Sequence, residues 1–335
     1  MKYFNEGLEF NKNTDKNILQ YCIGGLLYTP ASVNLVNRFN KNKNIKSWAI
    51  CLEDACAGEE KECFENIYQL LISMSNKEEV PLIFIRVKYP KQQLKLSKYL
   101  NLRDKSDGDC KFPLKYLTGF IFPKFDSENA IEYLENYHKV KELNSFCKLY
   151  FMPIIESERA IFVQERVENL LRIRDILEPE KENILNIRVG AADFSNIYHI
   201  RREMKVPVWS VRVVADALTN IINIFGRDYI ISGGVFEYFD GNNWEQHYRT
   251  EIQLDKENSF VGKTCIHPKQ IPIILDKLKV SRQNFKDSKM ILEADVNKSA
   301  VVKGASKSML EIRVHKNWAE KIKILSEIYG VDDND

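Results

Sequence analysis

No two cysteines of this chain are spaced as C-x-x-C. Its five histidines, His138, His199, His247, His267 and His315, keep no ligand-like spacing with cysteine. A zinc site is therefore not expected. The seven cysteines (Cys22, Cys51, Cys56, Cys63, Cys110, Cys147 and Cys265) are odd in number, and Cys51 and Cys265 fall in apolar runs, where cysteine acts as a small hydrophobe. The amino terminus shows no signal-peptide pattern, so reduced thiols and a cytoplasmic protein are the expectation. No apolar run approaches the roughly 18 residues that a membrane span needs. Neither charge dominates: Lys+Arg number 49 against 47 Asp+Glu, a formal charge of +2. That balance gives no bulk attraction to nucleic acid or to a membrane surface. Also missing is any G-x-G-x-x-G after the first apolar run, which removes the dinucleotide fingerprint and with it the phosphate-cradling loop.

What the chain does have is a series of short apolar runs that end on charge. Residues 47–54 end on Glu53-Asp54, 149–156 on Glu156, 187–193 on Asp193 and 81–87 on Arg86-Val87. Runs this short and this apolar read as buried strands of a parallel sheet. Eight strand candidates emerge, at 25–29, 47–53, 81–87, 119–123, 149–156, 184–191, 229–233 and 262–266. Amphipathic helical patterns lie between them, clearest at 61–75, 127–143, 160–176, 211–225 and 268–278. Eight strand–helix units predict an α/β fold, a (β/α)8 barrel of the TIM type, with an open doubly wound sheet as the alternative. The barrel is expected over 1–280, behind a polar, aromatic amino-terminal extension. A helical C-terminal extension is expected over 281–335: a helix at 285–297, a bend near Gly304, a helix at 318–329 and a frayed end. The stretches 88–118, with the polar run 103–109, and 235–261, with the turn signal Asp240-Gly241, read as loop excursions.

Charge gathered at strand ends marks the active face of such a barrel, and carboxylates are costly to gather unless a cation holds them. A divalent metal with an arginine beside it is the economical reading. Glu156 is either a metal ligand or an acid favoured at a helix N-terminus. Asp193, after the small residues Gly190, Ala191 and Ala192, is either a second ligand or an N-cap. Two oxygen ligands without histidine or cysteine select Mg²⁺ or Mn²⁺ over zinc. Glu53 and Asp54 are adjacent, so the strand must be ending there. They either orient Arg86 and bind metal waters or open the segment ahead of the next helix. Arg86, inside an apolar run, requires a carboxylate or oxyanion partner. Lys124 either faces the same mouth or is solvated. Arg188 either lies inside the barrel or points outward to a helix acid. His267, before Pro268, either meets substrate or closes its loop.

These segments, in this order, resemble the HpcH/HpaI aldolase and citrate lyase beta-subunit family. The likeness runs through Leu27–Pro30, Cys51–Ala55, Ile85–Val87, Phe122–Lys124, Pro153–Ser157, Val189–Asp193, Gly262–Pro268 and Gln270-Ile271. It implies a usually homo-oligomeric barrel that makes or breaks a carbon–carbon bond beside a carbonyl with Mg²⁺. It matches Glu156 and Asp193 to metal ligands, Arg86 to the substrate and enolate contact, and Glu53-Asp54 to an acidic pair near the metal waters. Acyl-CoA members commonly carry Arg-Ser where this chain has Gly24-Gly25, and Met-Ile-Asp where it has Met309-Leu310-Glu311. The likeness is therefore to a divergent branch, similar to the carbon–carbon lyase-like proteins of tellurite-resistance and stress gene clusters, and a CoA thioester stays an open partner. The implied substrate is a small 2-oxo or 3-hydroxy acid. Arg86, Glu53 and Asp54 fill catalytic roles, Arg86, Lys124 and His267 bind substrate, and Glu311 or a metal-bound water is a further candidate base. Two other readings compete: a non-catalytic binding or assembly subunit on the same barrel, and phosphoryl transfer to an enolate.

Overall fold

The structure, a computed structural model, describes residues 1–54, 56–107, 111–295, 300–305 and 309–332. The chain divides into two compact units, residues 11–274 and residues 1–10 with 275–335. Among the described residues no helix is long and apolar enough to cross a membrane. Cys22, Cys51, Cys56, Cys63, Cys147 and Cys265 are free thiols; Cys110 lies outside the described residues.

The larger unit carries all eight expected strands, each with helical chain on its outer side. They are β1 (Gly25–Pro30), β2 (Ser47–Cys51), β3 (Leu82–Arg86), β4 (Gly119–Phe122), β5 (Tyr150–Ile155), β6 (Ile187–Val189), β7 (Ile231–Ser232) and β8 (Lys263–Cys265). Every pairing between them is parallel, in the order β7-β6-β5-β4-β3-β2-β1-β8. A parallel bridge from Gly233 to Lys263 closes the ring. The Gly233 N–H donates to the Gly262 carbonyl and the Thr264 N–H to the Gly233 carbonyl, both at 3.0 Å. Gly262 is required at this seam: its φ is +76°, and a Cβ there would stand 2.4 Å from the Gly24 carbonyl oxygen. The strands read as near-continuous apolar runs because both faces are covered. Phe122 and Phe151, on the outer face, stack at 5.1 Å and meet Tyr133 and Tyr137 of the helix Ala130–Leu143.

Helices stand where the 3.6-residue pattern predicts them, at Glu60–Ser73, Ala130–Leu143, Val163–Leu177, Arg212–Phe225 and Gln270–Leu278. Two expected loop excursions are corrected. As far as Asp107 the polar run from Arg103 is the last turn of a helix, Gln92–Asp107, whose buried face includes Gln92, Gln93, Ser97 and Asp104; residues 108 and 109 of the run lie outside the described residues. The stretch 235–261 does turn at Gly241 and Asn243, both with positive φ, but then forms the helix Trp244–Glu257. That helix buries Glu251 and Asp255 against Lys263 of β8, at 3.0 and 2.6 Å. Acids on its inward face break the apolar period that would have announced it.

The smaller unit is helical, as expected, and adds strands. Helix Arg282–Glu293, capped by the Ser281 hydroxyl, and helix Ile312–Tyr329 are joined through a hairpin of β10 (Val301–Lys303) and β11 (Met309–Glu311). Ile291, Leu310, Ile312 and Ala319 form its core with Trp318 against them, and Ile322 and Leu325 are buried. Short β9 (Val280–Ser281) pairs with β12 (Val331–Asp332), and Tyr3 stacks on Tyr329 at 5.0 Å. The first helix stops at Glu293; residues 296 and 297 of the expected longer helix, and residues 333–335 of the end expected to fray, lie outside the described residues.

Candidate active site

Five consecutive strands deliver charge to one mouth of the barrel. β2 runs out into Glu53 and Asp54, β3 ends on Arg86, β4 leads to Lys124 and β5 to Glu156. After β6, Gly190 caps a short helix, Ala191–Ile197, with Asp193 in its first turn. The Arg86 guanidinium is the hub. Its Nη2 pairs with Glu53 Oε2, with Asp54 Oδ2 at 3.3 Å and with Glu156 Oε1 at 3.3 Å. Its Cζ lies 5.8 Å from the centre of the Tyr28 ring, and its Nε has no partner. Lys124 is the second cation. Its ammonium stands 2.5 Å from Glu53 Oε1, 3.7 Å from Asp54 and 3.9 Å from Asp193. Its backbone N–H donates to Glu156 Oε1 at 3.0 Å, in a conformation with φ +48°. Lys124 is half exposed and paired at once, so the solvated and the mouth-facing readings both describe it.

Four carboxylates thus share two cations at the mouth. Burial pushes the Glu156 carboxyl up to about 8; Arg86 works against that push, and Asp193 adds to it. Burial likewise raises Glu53, although Arg86 and Lys124 oppose it. Asp54 is exposed, and hydrogen bonding to Glu53 with the charges of Arg86 and Lys124 outweighs its partial burial and lowers it. The surplus of negative charge asks for a further cation. Glu156 and Asp193 offer a hard, all-oxygen donor pair. Mg²⁺ is commonly held by one or two carboxylates, with water and substrate filling the remaining positions. Among the described residues no group of three or more His, Cys, Asp or Glu side chains is placed to hold a metal ion. A pair of this chemistry could hold such a cation only with its other positions filled by water and substrate. Gly190 belongs to this cradle: a Cβ there would stand 2.1 Å from Glu156 Oε2.

The bland readings of these acids also meet the structure. The helix Glu60–Ser73 takes Glu59 as its N-cap, so Glu53 and Asp54 are not its capping residues. Glu156 precedes the N-cap Ser157 of the helix Glu158–Ile161. Asp193 does lie in a helical first turn, where the dipole favours an acid. His267 keeps other company: it stacks on Phe239 at 4.6 Å and accepts from the Lys269 N–H at 3.2 Å. Arg188 points inward, where it meets Thr264. Tyr28 lines the site, a role its place in an apolar strand did not suggest. Its place on one face of β1 with Leu26 and Pro30, opposite Leu27 and Thr29, was the available signal.

The raised carboxyl of Glu156 gives a pH expectation. A carboxyl whose folded value lies above its unfolded one stabilises the fold below about pH 4.5, and the contribution is lost as pH rises through about 8. The metal-free protein should lose melting temperature across that window, and Glu156→Gln should flatten the loss. Equal slopes in the two proteins would show that Glu156 ionises normally.

Residues 17–331 match the family model described as C–C bond lyase of the TIM-barrel fold. No curated protein matches the chain. Among solved structures, a citrate lyase from Burkholderia xenovorans LB400 is similar at a TM-score of 0.68 and 11% identity, covering 99% of this chain and 96% of that one. The CitE protein of Mycobacterium tuberculosis, in complex with magnesium, acetoacetate and coenzyme A, is similar at a TM-score of 0.59 and 14% identity, with 92% and 99% covered. Malate synthase of Haloferax volcanii, in a magnesium and glyoxylate complex, is similar at 0.59 and 15%, with 75% and 73% covered. At such identities the likeness to these structures is one of fold.

Proposed function

We propose that this chain, which belongs to the C–C bond lyase family of the TIM-barrel fold, makes or breaks a carbon–carbon bond beside the carbonyl of a small 2-oxo or 3-hydroxy acid. The observation that carries the reading is the barrel mouth, where four carboxylates surround Arg86 and Lys124. Glu156 and Asp193 are the residues that would hold Mg²⁺ or Mn²⁺. The magnesium in the CitE and malate synthase complexes supports that assignment. When bound, the cation supplies Lewis-acid pull on the carbonyl and carboxylate oxygens of the substrate.

The chain's own groups do the rest. Cleavage beside a carbonyl leaves an enolate, so the site must stabilise a developing oxyanion. Arg86 is fixed for this by three carboxylates on Nη2, which leaves its unpartnered Nε to donate. Lys124 adds a second positive charge without being sealed from the mouth. Glu53, its affinity for a proton raised by burial, moves the proton at the carbon beside the carbonyl. Asp54, held low, stays ionised and steadies Arg86. Glu311 belongs to the smaller unit and has no part in this assignment. The substrate is a free acid, because Gly24 and Gly25 offer no side chain to a CoA group.

Enolisation can be read without knowing the second substrate. With Mg²⁺ in D₂O, the protein should exchange the methyl protons of pyruvate or the methylene protons of a larger 2-oxo acid, followed by NMR. Absence of exchange, cleavage and condensation across a panel of 2-oxo and 3-hydroxy acids would remove the lyase reading. Mg²⁺ at about a hundred times its dissociation constant should stabilise the fold by about 2.7 kcal/mol. The Glu156→Gln, Asp193→Asn double variant should lose that gain; an equal gain in both proteins would move the metal elsewhere.

A further inference from the structure

The barrel interior holds a guanidinium with no anion beside it. Arg188, the middle residue of β6, is 1% exposed. Its Nη2 donates to Thr264 Oγ1 at 2.7 Å, and its Nε and Nη1 have no partner. Among the described residues no carboxylate pairs with it. Three other buried cations of this unit are paired: Arg86 holds three carboxylates, Arg202 holds Glu237 and Glu251, and Lys263 holds Glu251 and Asp255, whereas Arg166, less deeply buried, donates to the Ile161 carbonyl. A buried charge left without a counter-ion is costly, and a fold keeps one where something outside the chain neutralises it.

The place of Arg188 says what that would be. Strand alternation sets it inward with Gly190, two residues on, the residue that lies against Glu156. Arg188 therefore stands one layer below the acidic mouth. Its partner there is the hydroxyl of Thr264, a partly open residue. The free N–H groups on Nε and Nη1 lie on different edges of the guanidinium; each can donate to an anionic oxygen, and the Nη1 edge, which also includes Nη2, can receive a carboxylate.

We infer that Arg188, with the hydroxyl of Thr264, is the seat of a substrate carboxylate, so that the barrel takes a free organic acid held one layer below its mouth by Arg188 and worked on at the mouth by Arg86. The inference rests on the lyase reading for what happens at the mouth, but its test does not. Full-length wild type, Arg188→Met and Arg188→Lys are titrated by calorimetry with pyruvate, malonate and inorganic phosphate, with and without Mg²⁺, and melted without ligand. Arg188→Met should bind the carboxylates about 10- to 100-fold more weakly, the range for losing hydrogen bonds to a charged group. Arg188→Lys should fall between. Without ligand, Arg188→Met should melt at or above the wild-type temperature, because an unneutralised buried cation has been replaced by an apolar chain of similar reach. A residue that merely props the barrel would do the reverse: Arg188→Met would melt lower and bind as wild type does, and the inference would fall. Phosphate bound as tightly as malonate, and lost with Arg188, would overturn the carboxylate assignment. Binding through Arg188 with no exchange on any acid would leave this seat standing and remove the lyase reading. Exchange with KM unchanged in Arg188→Met would do the opposite.

Discussion

Arg86→Met should lower the Mg²⁺-dependent exchange of 2-oxo acid protons by about 10²–10³-fold, the usual effect of removing one donor to a developing oxyanion. The reason is local. Arg86 Nη2 binds Glu53, Asp54 and Glu156, so the guanidinium cannot swing away from the mouth, and its Nε is left to donate. Methionine keeps the length and apolar stem but supplies neither charge nor donor. The variant should still fold, because Glu156, with its carboxyl already raised to about 8, can accept a proton when its cation leaves. Its melting temperature should then fall more steeply above neutral pH than that of wild type. Arg86→Lys restores the charge without the fork and should recover only part of the rate. A methionine variant within about tenfold of wild type in exchange rate would place the oxyanion contact on another residue.

Much of this mouth was legible in the sequence, for a physical reason. A parallel strand covered on both faces reads as an unbroken apolar run, so a charge at its end stands out: Glu53, Arg86, Lys124, Glu156 and Asp193 each follow such a run. What the runs could not say was which partner each charge takes. That Glu53 would sit between Arg86 and Lys124 depends on chain brought together from residues 53, 86 and 124. Arg188 sits mid-run, where inward and outward differ by one residue of register, and only its bond to Thr264 settles its direction. His267 shows the same limit from the other side. Its loop begins at the mouth end of β8, yet its ring turns to Phe239. Helices were missed where their inward faces are polar, as in Gln92–Asp107, because periodicity is a signal of apolar burial only.

The helix Trp244–Glu257 is the sharpest such case, and the acids that hid it carry the second large effect. Glu251 is fully buried and joins Arg202 and Lys263, and it also accepts the Val208 N–H at 2.9 Å. Asp255 takes the other side of Lys263 and the indole N–H of Trp209 at 2.8 Å. Cutting one partner from a buried network leaves its cations uncompensated, at a cost of about 3–5 kcal/mol. Glu251→Ala should therefore lower the melting temperature by about 6–10 °C, taking roughly 2 °C per kcal/mol for a domain of this size. The exposed pair Arg172–Glu168 offers the contrast: Arg172→Ala should cost under about 0.5 kcal/mol. The pH sign follows from direction. Lys263 and Arg202 outweigh the effect of burial and hold the Glu251 carboxyl below its ordinary range. Its contribution is thus present above the unfolded carboxylate value and lost as pH falls through the lower, folded one. Wild type should show that acid limb in its melting profile and Glu251→Ala should lack it. Lys263 and Cys265 face the helix while Thr264 faces the barrel, so exchange activity per folded molecule should survive in the variant at low temperature. A Glu251→Ala protein melting within about 1 °C of wild type would mean that the network contributes specificity of packing and no net stability.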